Sequence, residues 1–338
     1  MSKLELKVAR EEDAELWDRL VESSPHGTIF HTWKWLKIVE KHTNSRLYPL
    51  IGYKGTVPVG IFPIFFKKKG LKMIFSPPPG SAIPHLGPTI MNYNALKQSK
   101  RESIYKDFQR SVEDFISKLK PHYISVSLTP FMDPRPFIWS GYRLNANFDY
   151  YLILTREEEV WKNFDLNLRQ HIKRAEKKGI KIEEGSKEDL EFIYDSLLRR
   201  YREQKRTVTV PKDYLMELYD AFYPENLKVF IARYEGKNVG GIVALIFKDK
   251  IVFWIGAAKP EMKKVSPNDL AQWEAIRWGC SHGLRVYEEI GAGTERLVDF
   301  KNKYNPELSI RFTAVKSSLL SSIFEKIYPK LKSFGFHI

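Results

Sequence analysis

Two short stretches of this chain concentrate the residue types that handle anions and acyl groups. The first, residues 169–179, reads RQHIKRAEKKG. On a helix, Arg169 and Lys173 share a face at four-residue spacing, with Arg174 within the next half turn and Lys177 and Lys178 beyond it. Arginine grips phosphate through paired N–H donors, and lysine adds a point charge. Such a face suits a diphosphate or an RNA backbone. For Lys177 and Lys178 a solvated basic surface explains the charge more simply. The second stretch, residues 290–307, reads IGAGTERLVDFKNKYNPE. A strand runs into a glycine-rich turn, where Gly291 and Gly293 let backbone amides approach a donor closely. The DFK that follows is expected to place Asp299 and Lys301 on opposite faces of a short element. A lysine there can stabilise a developing oxyanion or bind phosphate, and the plain alternative is a turn with an exposed lysine.

Weaker candidates lie elsewhere. The loop SPPPGSAIPHLGP, residues 76–88, carries His85. Its prolines pre-organise it, and rigid loops often carry binding groups, although a lone histidine is more often structural. Lys263 and Lys264 precede a helix that opens at Pro267. They would bring cations to a positive helix end, where phosphate is favoured. Nucleophile-elbow, zincin, Walker A and dinucleotide-fingerprint motifs are all missing, and the eight histidines show no metal-ligand spacing. Catalysis by positioning and electrostatics needs none of these. The single cysteine, Cys280, sits in a helical pattern with Trp273 and Ile276 and reads as a small core residue.

The elements that must position these residues come in a repeated order. Residues 53–69 read YKGTVPVGIFPIFFKKK and residues 234–250 read YEGKNVGGIVALIFKDK, identical at seven of seventeen positions. Chance supplies about one match at ordinary composition. Both copies read as strand, glycine turn and strand. Around them, each half gives strand, helix, helix, three meandering strands, helix and strand. The sequence therefore predicts an α/β fold of two similar domains with mixed sheets, facing each other across a cleft. Residues 1–150 form the first domain and 151–314 the second. One basic helix spans residues 157–178, two extended pieces flank Asn145–Asn147, and an amphipathic helix at residues 315–338 returns to the first domain.

Lysine and arginine exceed the acids by 55 to 41, a net charge of +14. That charge favours an anionic partner, with surface solubility as the plain alternative. Apolar residues at 43% and aromatics at 14% exclude a disordered chain. The charged N-terminus and the lack of an eighteen-residue apolar run point to a cytoplasmic protein without a transmembrane segment.

With these stretches in view, the chain resembles the FemAB-like transferases, a family of tandem GNAT (Gcn-five-related N-acetyltransferase) folds. The resemblance rests on FHTWKWLKIVEK, PPPGSAIPHLGP, LNLRQHIKRAEKKGI, the meander from Leu227 to Ala257, SPNDLAQWEAIRWGCSHG and YEEIGAGTERLVDFKNKYNPE. It implies two GNAT-like domains, each with a mixed, mostly antiparallel sheet flanked by helices. It implies transfer of an amino acid from aminoacyl-tRNA onto a peptide amine of a diphosphate-bearing cell-wall precursor, with no metal, no covalent enzyme intermediate and no permanently bound cofactor. It implies that Arg169 and Arg174, with Lys37 or Lys41 in the first domain, hold the precursor's diphosphate, and that Lys301 stabilises charge during transfer. The chain departs from an acyl-CoA GNAT at KPEMKKVSPNDL, which lacks the glycine-rich turn that cradles a CoA pyrophosphate. That favours an aminoacyl-tRNA donor over acyl-CoA. An acyl-CoA-dependent N-acetyltransferase of a small amine is the alternative enzyme, and a non-catalytic RNA-binding protein is the alternative from another class. A monomer is compatible with each.

Overall fold

The computed structural model describes residues 4–205, 208–257, 262 and 265–318. Among the described residues the backbone divides into two units, one taking residues up to Asn147 and residues 310–318, the other Phe148–Ser309. Each is an α/β unit with a mixed, mostly antiparallel sheet flanked by helices.

In the first unit β1 (Leu4–Val8) precedes α1 (Ala14–Ser23) and α2 (Trp33–Thr43). The antiparallel strands β2 (Arg46–Lys54), β3 (Val57–Lys69) and β4 (Leu71–Ser76) follow, with the short β5 (Thr89–Ile90) beside β3. Helix α3 (Gln98–Leu119) then crosses to β6 (Tyr123–Ser127), which runs parallel to β4. After α4 (Arg135–Trp139), strand β7 (Arg143–Ile153) leads into the second unit. The late strand Glu307–Ser317 pairs antiparallel with β6, Thr313 opposite Ser127.

The second unit opens with α5 (Glu157–Asn163) and α6 (Leu166–Lys177) and then repeats the first. Its elements are β8 (Lys181–Glu184), α7 (Lys187–Glu203), α8 (Lys212–Phe222), β9 (Leu227–Tyr234), β10 (Lys237–Phe247), β11 (Lys250–Gly256), α9 (Pro267–Ser281) and β12 (Val286–Glu289). The short α10 (Glu295–Lys301) precedes β13, the strand Glu307–Ser317. Strand β12 is parallel to β11 and antiparallel to β7. The pairing pattern therefore matches strand for strand in the two units: three antiparallel neighbours, one parallel pair, one antiparallel closing strand.

The repeated segment is a hairpin in both units. Gly55 at φ +65° and Gly236 at φ +72° supply the left-handed turn residue that a tight hairpin needs. A bulge lies within a few residues of each turn, between Gly52 and Tyr53 before the first and between Asn238 and Gly240 after the second. Gly240 also lets α9 approach β10. A Cβ there would meet Asn268 Oδ1 at 2.5 Å, the atom that accepts the Gly241 N–H at 3.1 Å.

Three expectations change. The basic helix predicted over 157–178 is two helices. Phe164 leaves the helical path to enter the core against Trp273 at 5.3 Å and Tyr304 at 5.2 Å. Asp165 behind it donates its N–H to the Lys303 carbonyl at 2.9 Å, in extended backbone that starts α6. The two extended pieces around Asn145–Asn147 are one strand, β7. Residues 315–317 belong to β13, not to a helix, because pairing with β6 satisfies their backbone. The rest of the predicted C-terminal helix, from 319 on, lies outside the described residues.

Candidate active site

Strands β11 and β12 stay paired from Lys250 opposite Val286 to Phe253 opposite Glu289. Beyond that point they part. Strand β11 continues to Gly256, while the chain after β12 turns at Gly291, whose φ is +86°. The opening of this parallel pair is framed by the first turns of α9 and by α10, and it gathers an unusual set of buried charges.

Glu289 is fully buried. Gln272 on α9 donates its amide to Oε1, and Oε2 has no hydrogen-bond partner. Burial pushes this carboxyl up to about 7, against the pull of Lys301 and Lys303. Lys301, at the end of α10, is 1% exposed. Its Nζ donates to the carbonyls of Ile290 at 2.5 Å and Gly291 at 2.9 Å. Burial draws its pKa down, while the carboxylates of Glu289 and Asp149 hold it up. Asp149, buried on β7, accepts the Gly291 N–H at 2.6 Å. The Phe148 carbonyl accepts the Ala292 N–H at 2.6 Å. These amides are engaged inside the unit. Gly293 is the exposed edge of the turn, with nothing within 4 Å of where a Cβ would stand.

A third carboxylate anchors the other side. Asp269, in the first turn of α9, is buried. Its Oδ1 accepts from Lys303 Nζ at 2.7 Å and from the Tyr304 hydroxyl at 3.4 Å. Its Oδ2 stands 3.7 Å from His171 Nδ1 on α6. Burial, reinforced by Asp269 and Glu289, pushes the Tyr304 hydroxyl well above its usual range. The site thus holds a buried ammonium, a carboxyl that titrates near neutrality, and an exposed glycine edge. Fixed charges in such a low-dielectric setting act strongly on charge that develops nearby.

Among the residues singled out by sequence, Lys301, Gly291 and Gly293 meet at this opening. Asp299 is exposed while Lys301 is buried, so DFK does present opposite faces, on a helix. Arg169, Lys173 and Arg174 all lie on α6. Lys173 and Arg174 are exposed, and Arg174 donates to Gln170 Oε1 at 3.2 Å. Arg169 is half-buried, and its Nε has no hydrogen-bond partner. Arg169 and Lys173 share one flank of α6, and helical periodicity sets Arg174 on the other. Lys37 and Lys41 are exposed on α2 of the first unit, where Lys37 pairs with Glu40 at 2.6 Å. His85 is 2% exposed and meets Phe30 edge-on at 5.8 Å inside the first unit. Lys263 and Lys264 lie outside the described residues. Cys280 is half-buried, and burial pushes its thiol up, away from nucleophilic use.

Sequence reasoning missed Asp149, His171, Asp269, Gln272 and Glu289. The only signal was local. Glu289 stands two residues before the glycine of the turn at a strand end, and His171 lies inside the basic stretch. Among the described residues no group of histidine, cysteine and acidic side chains could hold a metal ion. No described helix is long and apolar enough to cross a membrane.

Residues 162–302 match the family model described as acetyltransferase (GNAT) domain, a span that lies inside the second unit and includes most of this site. No curated protein matches the chain. Several solved structures are similar to it over nearly its whole length. FemX is 14% identical, with a TM-score of 0.73 over 95% of this chain and 100% of that one. L-PGS from Bacillus licheniformis is 13% identical, with a TM-score of 0.59 over 98% and 100%. A tandem GNAT protein from the clavulanic acid biosynthesis pathway is 10% identical, with a TM-score of 0.53 over 93% and 98%. The fold is FemAB-like and GNAT-type. The chain carries a GNAT acyltransferase domain and is an enzyme of the N-acyltransferase class.

Proposed function

We propose that this enzyme forms amide bonds by moving an aminoacyl group from aminoacyl-tRNA onto an amine of a peptide linked to a nucleotide diphosphate. The observation that carries the reading is the Lys301–Glu289 pair, buried at the opening of the parallel strands in the GNAT unit. In the proposed roles, Lys301 fixes the Ile290–Gly291 turn and lends positive charge to the oxyanion that forms when the amine attacks. The donor's acyl end lies against Gly293. Arg169, Lys173 and Arg174 bind acceptor phosphates, with Lys37, Lys41, Lys263 and Lys264 as further cationic candidates. The net charge of +14 suits both a tRNA donor and a diphosphate acceptor. An aminoacyl-tRNA donor would place the enzyme in the cytoplasm.

A second reading has its own support. The matching family model is described as an acetyltransferase, which favours acyl-CoA as donor and a small amine as acceptor. Labelled alanyl-tRNA and acetyl-CoA, tested side by side against a nucleotide-diphosphate-linked lysyl peptide and against small amines, separate the two. Label passing from tRNA to the peptide supports the first reading. Label passing only from acetyl-CoA to small amines replaces it with the second. No transfer from either donor to either acceptor class removes both.

A further inference from the structure

We propose that His171 accepts the proton that the attacking amine must shed, and that Asp269 is the residue that positions it. The inference rests on the acyl-transfer reading above. It begins from the geometry of Asp269. One oxygen, Oδ1, is engaged by Lys303 and Tyr304. The other, Oδ2, faces His171 Nδ1 at 3.7 Å. A carboxylate only accepts, so it selects the ring tautomer that carries its hydrogen on Nδ1 and its lone pair on Nε2. The separation exceeds hydrogen-bond range, and in the proposed step substrate binding closes it. Asp269 is itself fixed, since its N–H bonds the capping Ser266 Oγ at 3.4 Å and its side chain is 1% exposed.

Access singles out the histidine. Asp149, Asp269 and Glu289 are buried, whereas the His171 side chain is 44% exposed. Among the described residues of this cluster, His171 is therefore the base that a substrate amine can reach. The charged and titratable groups around it come from three elements. Helix α9 supplies Asp269 and, a turn further on, Glu274, which stands near Glu176 of α6. The turn after α10 supplies Lys303 and Tyr304. Its own helix supplies Arg169, Lys173 and Arg174. A buried carboxylate behind a solvent-facing imidazole is the arrangement that orients a histidine base and stabilises its imidazolium.

The chemistry balances without an added reagent. An ammonium gives one proton to His171 Nε2, and its nitrogen gains a free pair. That pair attacks the acyl carbon and forms the C–N bond. The bond from the acyl carbon to the donor's ester oxygen, or thioester sulfur, breaks. The second amine proton leaves with that oxygen or sulfur, and the imidazolium returns its proton to solvent.

The test uses the intact chain with His171→Ala, His171→Gln and Asp269→Asn. Label transfer from alanyl-tRNA or acetyl-CoA, whichever the wild type uses, is followed from about pH 6 to about pH 9. His171→Gln should lower kcat/KM by about 10²- to 10⁴-fold and remove the acid limb of the profile. Free imidazole should restore part of the His171→Ala rate, which a structural role would not allow. An unchanged rate and profile in both His171 variants overturns the proposal. Nitrogen-15 NMR of the His171 ring decides the positioning step separately. The Nδ1–H tautomer in the wild type, lost in Asp269→Asn, supports it, and an Nε2–H ring in the wild type overturns it. If the wild type transfers from neither donor, the acyl-transfer reading fails, while the ring spectrum still rules on the His171–Asp269 pair.

Discussion

Replacing Glu289 by glutamine tests the electrostatics of the site without requiring a substrate. The native carboxyl is pushed up to about 7 by burial, against an ordinary glutamate value of about 4.3 to 4.5 in an unfolded chain. The folded state therefore holds its proton more tightly than the unfolded state. Below the unfolded value both forms are protonated, and the residue adds no pH dependence. As pH rises between the two values the unfolded chain ionises first, so stability falls, and the loss is complete above the folded value. A shift of about 2.5 units is worth about 3 kcal/mol, most of it spent between about pH 5 and about pH 8. Glutamine keeps a carbonyl for the Gln272 amide and cannot ionise. Glu289→Gln should therefore unfold in urea with nearly the same stability at both pH values over and above the background slope of the other groups. The wild type should lose about 2 to 3 kcal/mol more than the variant over that range. The assay is urea unfolding followed by tryptophan fluorescence, since Trp273 lies in the same core cluster as Tyr287 and Tyr304 and Trp161 packs against it. Parallel curves for wild type and variant at both pH values would refute a neutral, buried Glu289.

Lys301→Met keeps the buried stem and deletes the charge, so turnover should fall about 10²- to 10³-fold with little change in donor affinity; unchanged turnover would remove Lys301 from the chemistry. Arg169→Ala should weaken binding of a nucleotide-diphosphate-linked peptide by about 10- to 100-fold, the worth of a charged hydrogen bond, and equal affinity by titration calorimetry would exclude it from the acceptor site. Gly240→Ala brings a methyl to 2.5 Å from Asn268 Oδ1, and overpacking of that kind costs about 1–3 kcal/mol, so a variant with the wild-type melting temperature would show that α9 yields freely.

The doubled α/β fold was legible because its signals are local. The Tyr–x–Gly openings at Tyr53 and Tyr234 and the matched Gly60 and Gly241 mark a hairpin wherever it stands. The apolar spacing of Trp33, Leu36 and Val39 marks a buried helix face in the same way. The errors arose where tertiary contacts overrule local preference. Nothing between Glu157 and Lys178 breaks a helix by composition. Phe164 leaves the helix because the core offers it Trp273 and Tyr304, residues more than a hundred positions away. In β13 the apolar alternation of Leu308, Ile310, Phe312 and Ala314 is local, but its continuation through residues 315–317 is fixed by pairing with β6.

The site divides along the same line. Lys301 was visible because the DFK that carries it belongs to the stretch opened by the glycine-rich turn, on which the family resemblance also rests. Its carboxylate neighbours were not, because acids are common and their meaning depends on burial. Glu288 and Glu289 are adjacent in sequence and both buried, yet strand alternation sends their side chains to opposite faces of β12. Only Glu289 enters the core beside Gln272, Lys301 and Tyr304. Asp149, Asp269 and Lys301 come from a strand, a helix start and a helix end that only the folded sheet brings together. Each of these charges would be costly alone in such a place. Their joint burial where the β11–β12 pair opens is the feature that burial for stability leaves unexplained, and the proposed charge handling during acyl transfer accounts for it.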